Sequence, residues 1–270
     1  MRRPSRRPQG YVCECSPQVT DRLRLRSLTM ASGDKSAQDL PDGIGDGVNP
    51  SSLDQQAVID LLGVLAYGEL AGFEQLAADA GRAPDLGDKA EIAELAAAEL
   101  RHFALLRARL SGMGVAVADA MTPFVEALDV FHESTRPADW LEGVVKAYVG
   151  NGIAVDFYRE VSGLVDDSTR DLVIEVLGDT GQADFAVDRV RRAIEADPVV
   201  AGRLALWGRR IVGEALAQAQ QVVARRPALA DLVMGGPGTS SGFDLATVGE
   251  MFTRITQQHT RRMAALGLAA

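Results

Sequence analysis

The residues with the clearest chemical potential are a glutamate and a histidine inside one predicted helix. Apolar residues recur every three or four positions along this segment, as on the inward face of an amphipathic helix, and Glu99 and His102 occupy two positions of that face. The full stripe is Ile92, Leu95, Glu99, His102, Leu106 and Leu110. Because a buried charge needs a partner or a metal, a carboxylate and an imidazole one turn apart indicate a metal site.

A second acid interrupts the preceding predicted helix in the same way. Glu69 stands in an apolar stripe whose other members are Val58, Leu62, Leu65, Phe73 and Leu76. Two residues of an antiparallel hairpin lie at the same height when they are equally far from its turn, and Pro84 is midway between Glu69 and Glu99. The spacing therefore predicts that these two carboxylates face each other, with His102 one turn away.

A second long hairpin offers two further acids. Asp179 interrupts another apolar stripe, and its mirror position across a turn at residues 166–168 is Asp156, with Glu160 as the alternative. If the two hairpins pack together, five side chains converge: Glu69, Glu99, His102, Asp156 and Asp179. Carboxylates with one imidazole suit iron or manganese better than a structural zinc, and four carboxylates without a metal would repel one another.

The composition predicts an all-α protein. The chain has 270 residues, is 47% hydrophobic and contains only 5% aromatic residues, and runs of β-branched residues are scarce. A net charge of −9 argues against a generally basic nucleic-acid-binding surface. The two cysteines, Cys13 and Cys15, lie near the N-terminus, so we expect no disulfide bond in the core. This cysteine usage is typical of proteins in a reducing cytoplasm. No apolar run approaches the roughly 20 residues of a membrane span.

The N-terminal segment differs in composition from the rest of the chain. Residues 1–52 are rich in arginine and then in Gly, Asp, Ser and Pro, which predicts a disordered arm. No apolar segment follows the arginines, so we expect no export signal, and Met30 is an alternative start. Residues 53–270 are predicted to form one antiparallel helical bundle. Its helices should end near residues 80 and 111 and then cover about 123–132, 137–165, 167–196, 198–225 and 244–266.

These motifs resemble the ferritin-like superfamily, and within it the MiaE-like branch of tRNA 2-methylthio-isopentenyladenosine hydroxylases. That superfamily carries Glu on one helix, Glu-x-x-His on the next and the same set on a second hairpin. The segments that carry the resemblance are 66–74, 98–103, 156–160 and 179–185, within roughly residues 55–225. The resemblance implies a ferritin-like bundle with additional C-terminal helices and two irons, with manganese the less favoured metal. It also implies oxygen-dependent hydroxylation of a modified tRNA nucleoside and an electron donor as partner.

One departure from the family pattern leaves a second hypothesis open. Gln182 stands where the second motif should have histidine, and a neutral amide is a poor iron ligand. The second metal position would then be weak or empty, with one iron instead of two. The alternative function is therefore a ferritin-like metal-binding or interaction protein without hydroxylase activity.

Equal spacing from residues 236–237 also predicts that Glu214 and His259 face each other as a buried pair. Homo-oligomerisation stays open.

Overall fold

The computed structural model describes residues 50–178, 181–235 and 242–270. These ranges contain α-helices joined by short turns and no strand, so the predicted all-α class is confirmed. The helices are α1 (Pro50–Ala80), α2 (Leu86–Gly112), α3 (Val117–Met121), α4 (Val125–Ser134), α5 (Trp140–Ser162), α6 (Asp167–Val176), α7 (Gln182–Ala196), α8 (Val199–Arg225), α9 (Pro227–Met234) and α10 (Leu245–Ala265), with a 3-10 turn at Thr122–Phe124.

The α1–α2 hairpin forms as its sequence predicts. Pro84 lies in the turn, and the Asp85 carboxylate caps α2 by accepting a hydrogen bond from the Asp88 N–H at 2.9 Å, which satisfies one of the free donors at the helix start. Gly63 lets α1 approach the chain at α3 closely, because a Cβ there would lie 2.3 Å from the Ala120 carbonyl oxygen. This hairpin holds all the candidate residues of the first motif.

Helix α5 runs antiparallel to α1 and lies beside α8. The Asp139 carboxylate caps its start by accepting from the Glu142 N–H at 2.9 Å. The Trp207 indole N–H of α8 donates to the Glu142 carbonyl oxygen at 2.9 Å. This buried bond fixes α8 against the N-terminal half of α5.

The buried apolar side chains form two clusters, and α1 contributes to both. Residues between Ala57 and Ala66 belong to one cluster, whereas Leu76 and Ala80 belong to the other. Glu69 lies on the stretch of α1 between them. The polar residues therefore interrupt the core of the bundle midway along its length.

The predicted helix over 167–196 is wrong in one respect, because the chain forms two helices there. Helix α6 ends at Val176 and α7 begins at Gln182, where Gly181 has a φ of +84° that favours glycine. Asp179 lies outside the described residues. The mirror rule that paired Asp179 with Asp156 assumed an unbroken helix, so its premise does not hold.

The predicted Glu214–His259 pair does not form. Both ring nitrogens of His259 are buried without a hydrogen-bond partner among the described residues, whereas Glu214 accepts a hydrogen bond from the Ser134 hydroxyl at 3.1 Å. Helix α9 lies between α8 and α10 in the chain, so these two helices are not a simple hairpin. The sequence predicted one helix ending near Arg225 and the next beginning near residue 244, so α9 between them was not predicted.

Helix α1 is more apolar than predicted from the sequence. Residues Gln55–Ala80 have the length and mean hydropathy, 1.3, of a membrane span, and 44% of the most apolar window is buried inside the protein. The core helix of a bundle meets the same criteria. Here α1 carries the buried acids Asp60 and Asp79 within that stretch, which a lipid-facing helix would not tolerate.

The described residues between 50 and 270 belong to one compact unit. The predicted arm over 1–52 lies almost entirely outside the described residues, as do Cys13, Cys15 and Met30. The arm therefore stays a prediction.

Candidate metal centre

The structure brings Glu69, Glu99 and His102 into one group. One ligand atom from each lies within 4.8 Å of the others, and Glu69 Oε2 is 3.3 Å from His102 Nδ1. Glu99 is buried, and only 16% of the His102 side chain and 11% of the Glu69 side chain are exposed. The juxtaposition expected from the equal distances to Pro84 is therefore present.

The electrostatics of this group favour a cation. Glu69 Oε2 is buried and accepts no hydrogen bond from any described residue. In the described part of the chain, no lysine or arginine lies within 4 Å of either carboxylate. Two buried carboxylates without a positive partner are costly, and two oxygens with one imidazole nitrogen are a ligand set that iron or manganese accepts. The three residues therefore fit a metal ion.

Burial changes the protonation of all three side chains. Burial raises the pKa of Glu69 to about 7, although its hydrogen bond with Glu99 lowers it in part. Burial, followed by the hydrogen bond and the charge of Glu69, raises the pKa of Glu99 to about 9. Burial lowers the pKa of His102 below its usual value. Without metal, the carboxyl pair therefore retains a proton at neutral pH and the imidazole is neutral.

The stability of the metal-free protein should consequently fall as the pH rises. Unfolded glutamates lose their protons near 4.5, whereas the folded pair keeps protons up to about 7 and 9. The raised pKa values favour the folded state fully below pH 4.5. This contribution to stability is lost as the pH rises from 4.5 through 7 and 9. Each retained proton contributes a slope of about 1.4 kcal/mol per pH unit. Urea unfolding of the chelator-treated protein between pH 5 and 9 measures the slope. Glu99→Gln should flatten it, and equal slopes in both proteins would contradict the assignment.

The structure does not bring the predicted ligand Asp156 into this group. Asp156 Oδ2 pairs with the Arg262 guanidinium of α10, and Gly152 leaves room for that arginine against α5. The alternative acid, Glu160, accepts two hydrogen bonds from Arg254, both at 2.8 Å. A guanidinium beside each carboxylate opposes a metal ion there.

An amide pair occupies the second motif instead. Gln182 is buried at the start of α7, and its Oε1 accepts a hydrogen bond from Asn151 Nδ2 at 2.8 Å. This bond occupies the Gln182 oxygen, which belongs to a neutral amide, so Gln182 is not poised as a strong ligand. The described residues therefore supply ligands for one metal position, and Asp179 lies outside them.

A cavity of about 250 Å³ lies next to the group and is lined by Glu69 and Glu99. The cavity lies between α1, α5 and α8, and most of its lining side chains are apolar. Gly68 and Gly72 widen it beside the carboxylates, since a Cβ at Gly68 would meet nothing within 4 Å. An organic molecule in this space would lie against the candidate metal ligands.

Two polar residues of this cavity were missed as functional candidates in the sequence analysis. Lys146 of α5 is 3% exposed, and Gln218 of α8 is buried with an Oε1 that has no hydrogen-bond partner among the described residues. Lys146 stands in the apolar run 144–149. This is the same signal that singled out Glu99, a charged residue at a position that should be apolar.

His102 also lines a second pocket, which lies at the surface beside α2. This surface pocket of about 410 Å³ is lined by Glu91, Glu94, Arg101 and His102, and the first three are exposed. The histidine therefore lines a surface pocket, whereas the two glutamates line the apolar cavity.

The comparison with protein families agrees with this geometry. The family model described as "Ferritin-like domain, actinomycetes" matches residues 53–236. The chain belongs to this ferritin-like family. No curated protein matches the sequence. The family match establishes the ferritin-like assignment and does not distinguish the MiaE-like branch.

A solved structure similar to this ferritin-like protein is described as "Protein 19 with aldehyde deformylating oxidase activity" from Synechococcus. The two have a TM-score of 0.61 and 18% sequence identity, over 82% of this chain and 94% of that one. At this identity the similarity establishes a shared ferritin-like bundle.

Proposed function

We propose that this ferritin-like protein is an iron-dependent oxidoreductase that binds iron through Glu69, Glu99 and His102. The observation that carries the proposal is the buried group itself: two carboxylates that meet an imidazole and no positive side chain among the described residues. The apolar cavity against Glu69 and Glu99 supplies a place for an organic substrate, since ligand sites are typically apolar with a few polar groups. The oxidase activity named for the Synechococcus protein supports the same reaction class.

The chain's own residues would perform two tasks in this function, and the iron would supply the third. The carboxylates would give up their retained proton when the metal binds, because ligating oxygens must be deprotonated. The apolar residues around them would exclude water from the substrate. Bound iron would supply reaction with oxygen, which no side chain can provide. The electrons would come from an external donor, which we propose as a partner in the cytoplasm.

A di-iron hydroxylase acting on a modified tRNA nucleoside is the finer form of this hypothesis. The resemblance of the motifs supports it, but the observed cavity lining is mainly apolar and the net charge is −9, whereas tRNA binding relies on cationic contacts to phosphates. The second candidate function is metal binding without hydroxylase activity. The Asn151–Gln182 amide pair favours it, because that pair occupies the second motif without offering a strong ligand.

Iron content and oxygen consumption test the proposal. Protein loaded anaerobically with ferrous iron and then desalted should retain close to one iron per chain, because the described residues build one ligand group. With a chemical reductant, it should consume oxygen faster than the same protein treated with chelator. Two irons per chain would show that the protein has a second metal position besides the Glu69–Glu99–His102 group. Iron binding without oxygen consumption would favour the second candidate, and no iron would refute both.

A further inference from the structure

The cavity has a positively charged end that the proposed metal chemistry does not use. Lys146 is 3% exposed and lines the cavity. Its Nζ donates a 3.4 Å hydrogen bond to the His132 carbonyl oxygen and lies 5.6 Å from the centre of the Phe131 ring. Among the described residues, no carboxylate lies within 4 Å of this Nζ. A buried ammonium with so few partners is costly, which is typical of functional sites.

The nearest acid is already committed to other side chains. The Asp79 carboxylate accepts hydrogen bonds from Gln75 Nε2 at 3.0 Å and from Arg82 Nη1 at 3.4 Å. Its charge favours the ammonium form of Lys146 from a distance, although burial lowers the pKa of Lys146 to about 8. Lys146 therefore carries a positive charge at neutral pH and lacks a direct anionic partner within the described structure.

The antiparallel packing of α1 and α5 gives the position of Lys146 relative to the metal group. Asp79 packs against Gly143, so Glu69, ten residues earlier in α1, lies level with Ile153 of α5. Lys146 is seven residues before Ile153, which corresponds to about 10 Å along the helix axis. At the other end, the cavity is lined by apolar residues that include Leu61, Val161 and Leu229. The acids thus lie part-way along an elongated space whose two ends differ in polarity.

We infer that Lys146 binds the carboxylate head group of a chain-like apolar ligand, whose chain extends from this lysine past Glu69 and Glu99 toward the apolar end. The carboxylate would supply the anionic partner that the ammonium lacks, and the chain would contact the apolar lining. This inference rests on the proposed function for treating the cavity as the substrate site. It adds that the substrate is an acid with an apolar chain and that a chain carbon, rather than the head group, lies beside the metal ligands.

Binding of decanoate and decan-1-ol to the full-length, metal-free protein tests the inference. The two probes have the same chain and differ in the charge of the head group, and calorimetry can measure both. We expect the wild-type protein to prefer decanoate. Lys146→Met should weaken decanoate binding at least tenfold and change decan-1-ol binding less than twofold, because charge-assisted hydrogen bonds are the strong ones. Lys146→Arg should retain the preference.

Lys89→Met is the matched control, because Lys89 is an exposed lysine of α2 and its replacement makes the same change in net charge. It should leave both affinities unchanged. A structural role for Lys146 predicts instead that Lys146→Met lowers the melting temperature. We expect an unchanged or higher value, since an apolar side chain replaces a buried charge.

The inference is overturned if wild-type protein does not bind decanoate, or if Lys146→Met weakens both probes equally. These measurements need no metal, so they are separate from the test of the proposed function. A protein that binds iron but shows no preference for decanoate refutes this inference alone. A protein that prefers decanoate through Lys146 but binds no iron refutes the metal proposal and leaves an acid-binding protein.

Discussion

Glu99→Gln should weaken ferrous iron binding by at least about 100-fold, because replacing even an outer partner of a metal ligand costs roughly 10–100-fold. Glutamine keeps the size of the side chain beside Gly72 and removes the negative charge. Competition with a coloured ferrous chelator under anaerobic conditions measures the affinity. The variant should fold normally, since at neutral pH Glu99 is mostly protonated in the metal-free protein.

Asp156→Asn is the matched control for that experiment. It removes a carboxylate from α5, but this carboxylate pairs with Arg262 and lies outside the Glu69–Glu99–His102 group. Iron affinity should therefore change by less than about threefold, in line with additivity for sites without shared partners. A loss equal to that of Glu99→Gln would show that Asp156 leaves Arg262 and joins the metal.

Gly63→Ala should destabilise the protein by about 2–3 kcal/mol, which is the upper part of the range for overpacked sites. The new Cβ would lie 2.3 Å from the Ala120 carbonyl oxygen and 2.8 Å from its carbon. These are backbone atoms that cannot rotate away, so α1 and α3 must separate. Chemical unfolding at fixed pH measures the change in the free energy of unfolding.

Gly68→Ala gives the opposite expectation in the same helix. A Cβ at Gly68 meets nothing within 4 Å, so the substitution should stabilise α1 by about 0.5–1 kcal/mol through helix propensity alone. A Gly63→Ala variant as stable as the wild-type protein would show that the close approach at Gly63 does not control packing.

The sequence was sufficient for the first hairpin and insufficient for the second. Glu69 and Glu99 could be paired from their distances to Pro84, because two unbroken helices joined by a short turn leave little freedom in register. Asp156 could not be placed in this way. The break between α6 and α7 means that Asp156 and Asp179 are not related by one hairpin turn. The residue that does pair with Asp156 is Arg262, which lies 106 residues away in sequence. The predicted Glu214–His259 pairing was wrong because α9 lies between the two helices, so they are not joined by a single short turn.

Lys146 shows a different limit of sequence reasoning. Its position in an apolar run marks it as unusual, but the pattern does not distinguish a buried ion pair from a ligand contact. That distinction needs the arrangement of three helices around a cavity and the knowledge that Asp79 is held by Gln75 and Arg82. Such long-range packing has no local signature along the chain.

The placement of His102 between a polar surface pocket and an apolar interior has a consequence for turnover. In the iron-dependent enzyme that we propose, iron would enter by way of the surface pocket at His102, and the organic substrate would enter the cavity on the side of the two glutamates. The two routes would be separate, so the organic product could leave without release of the iron. Iron could likewise be exchanged while an organic molecule stays in the cavity.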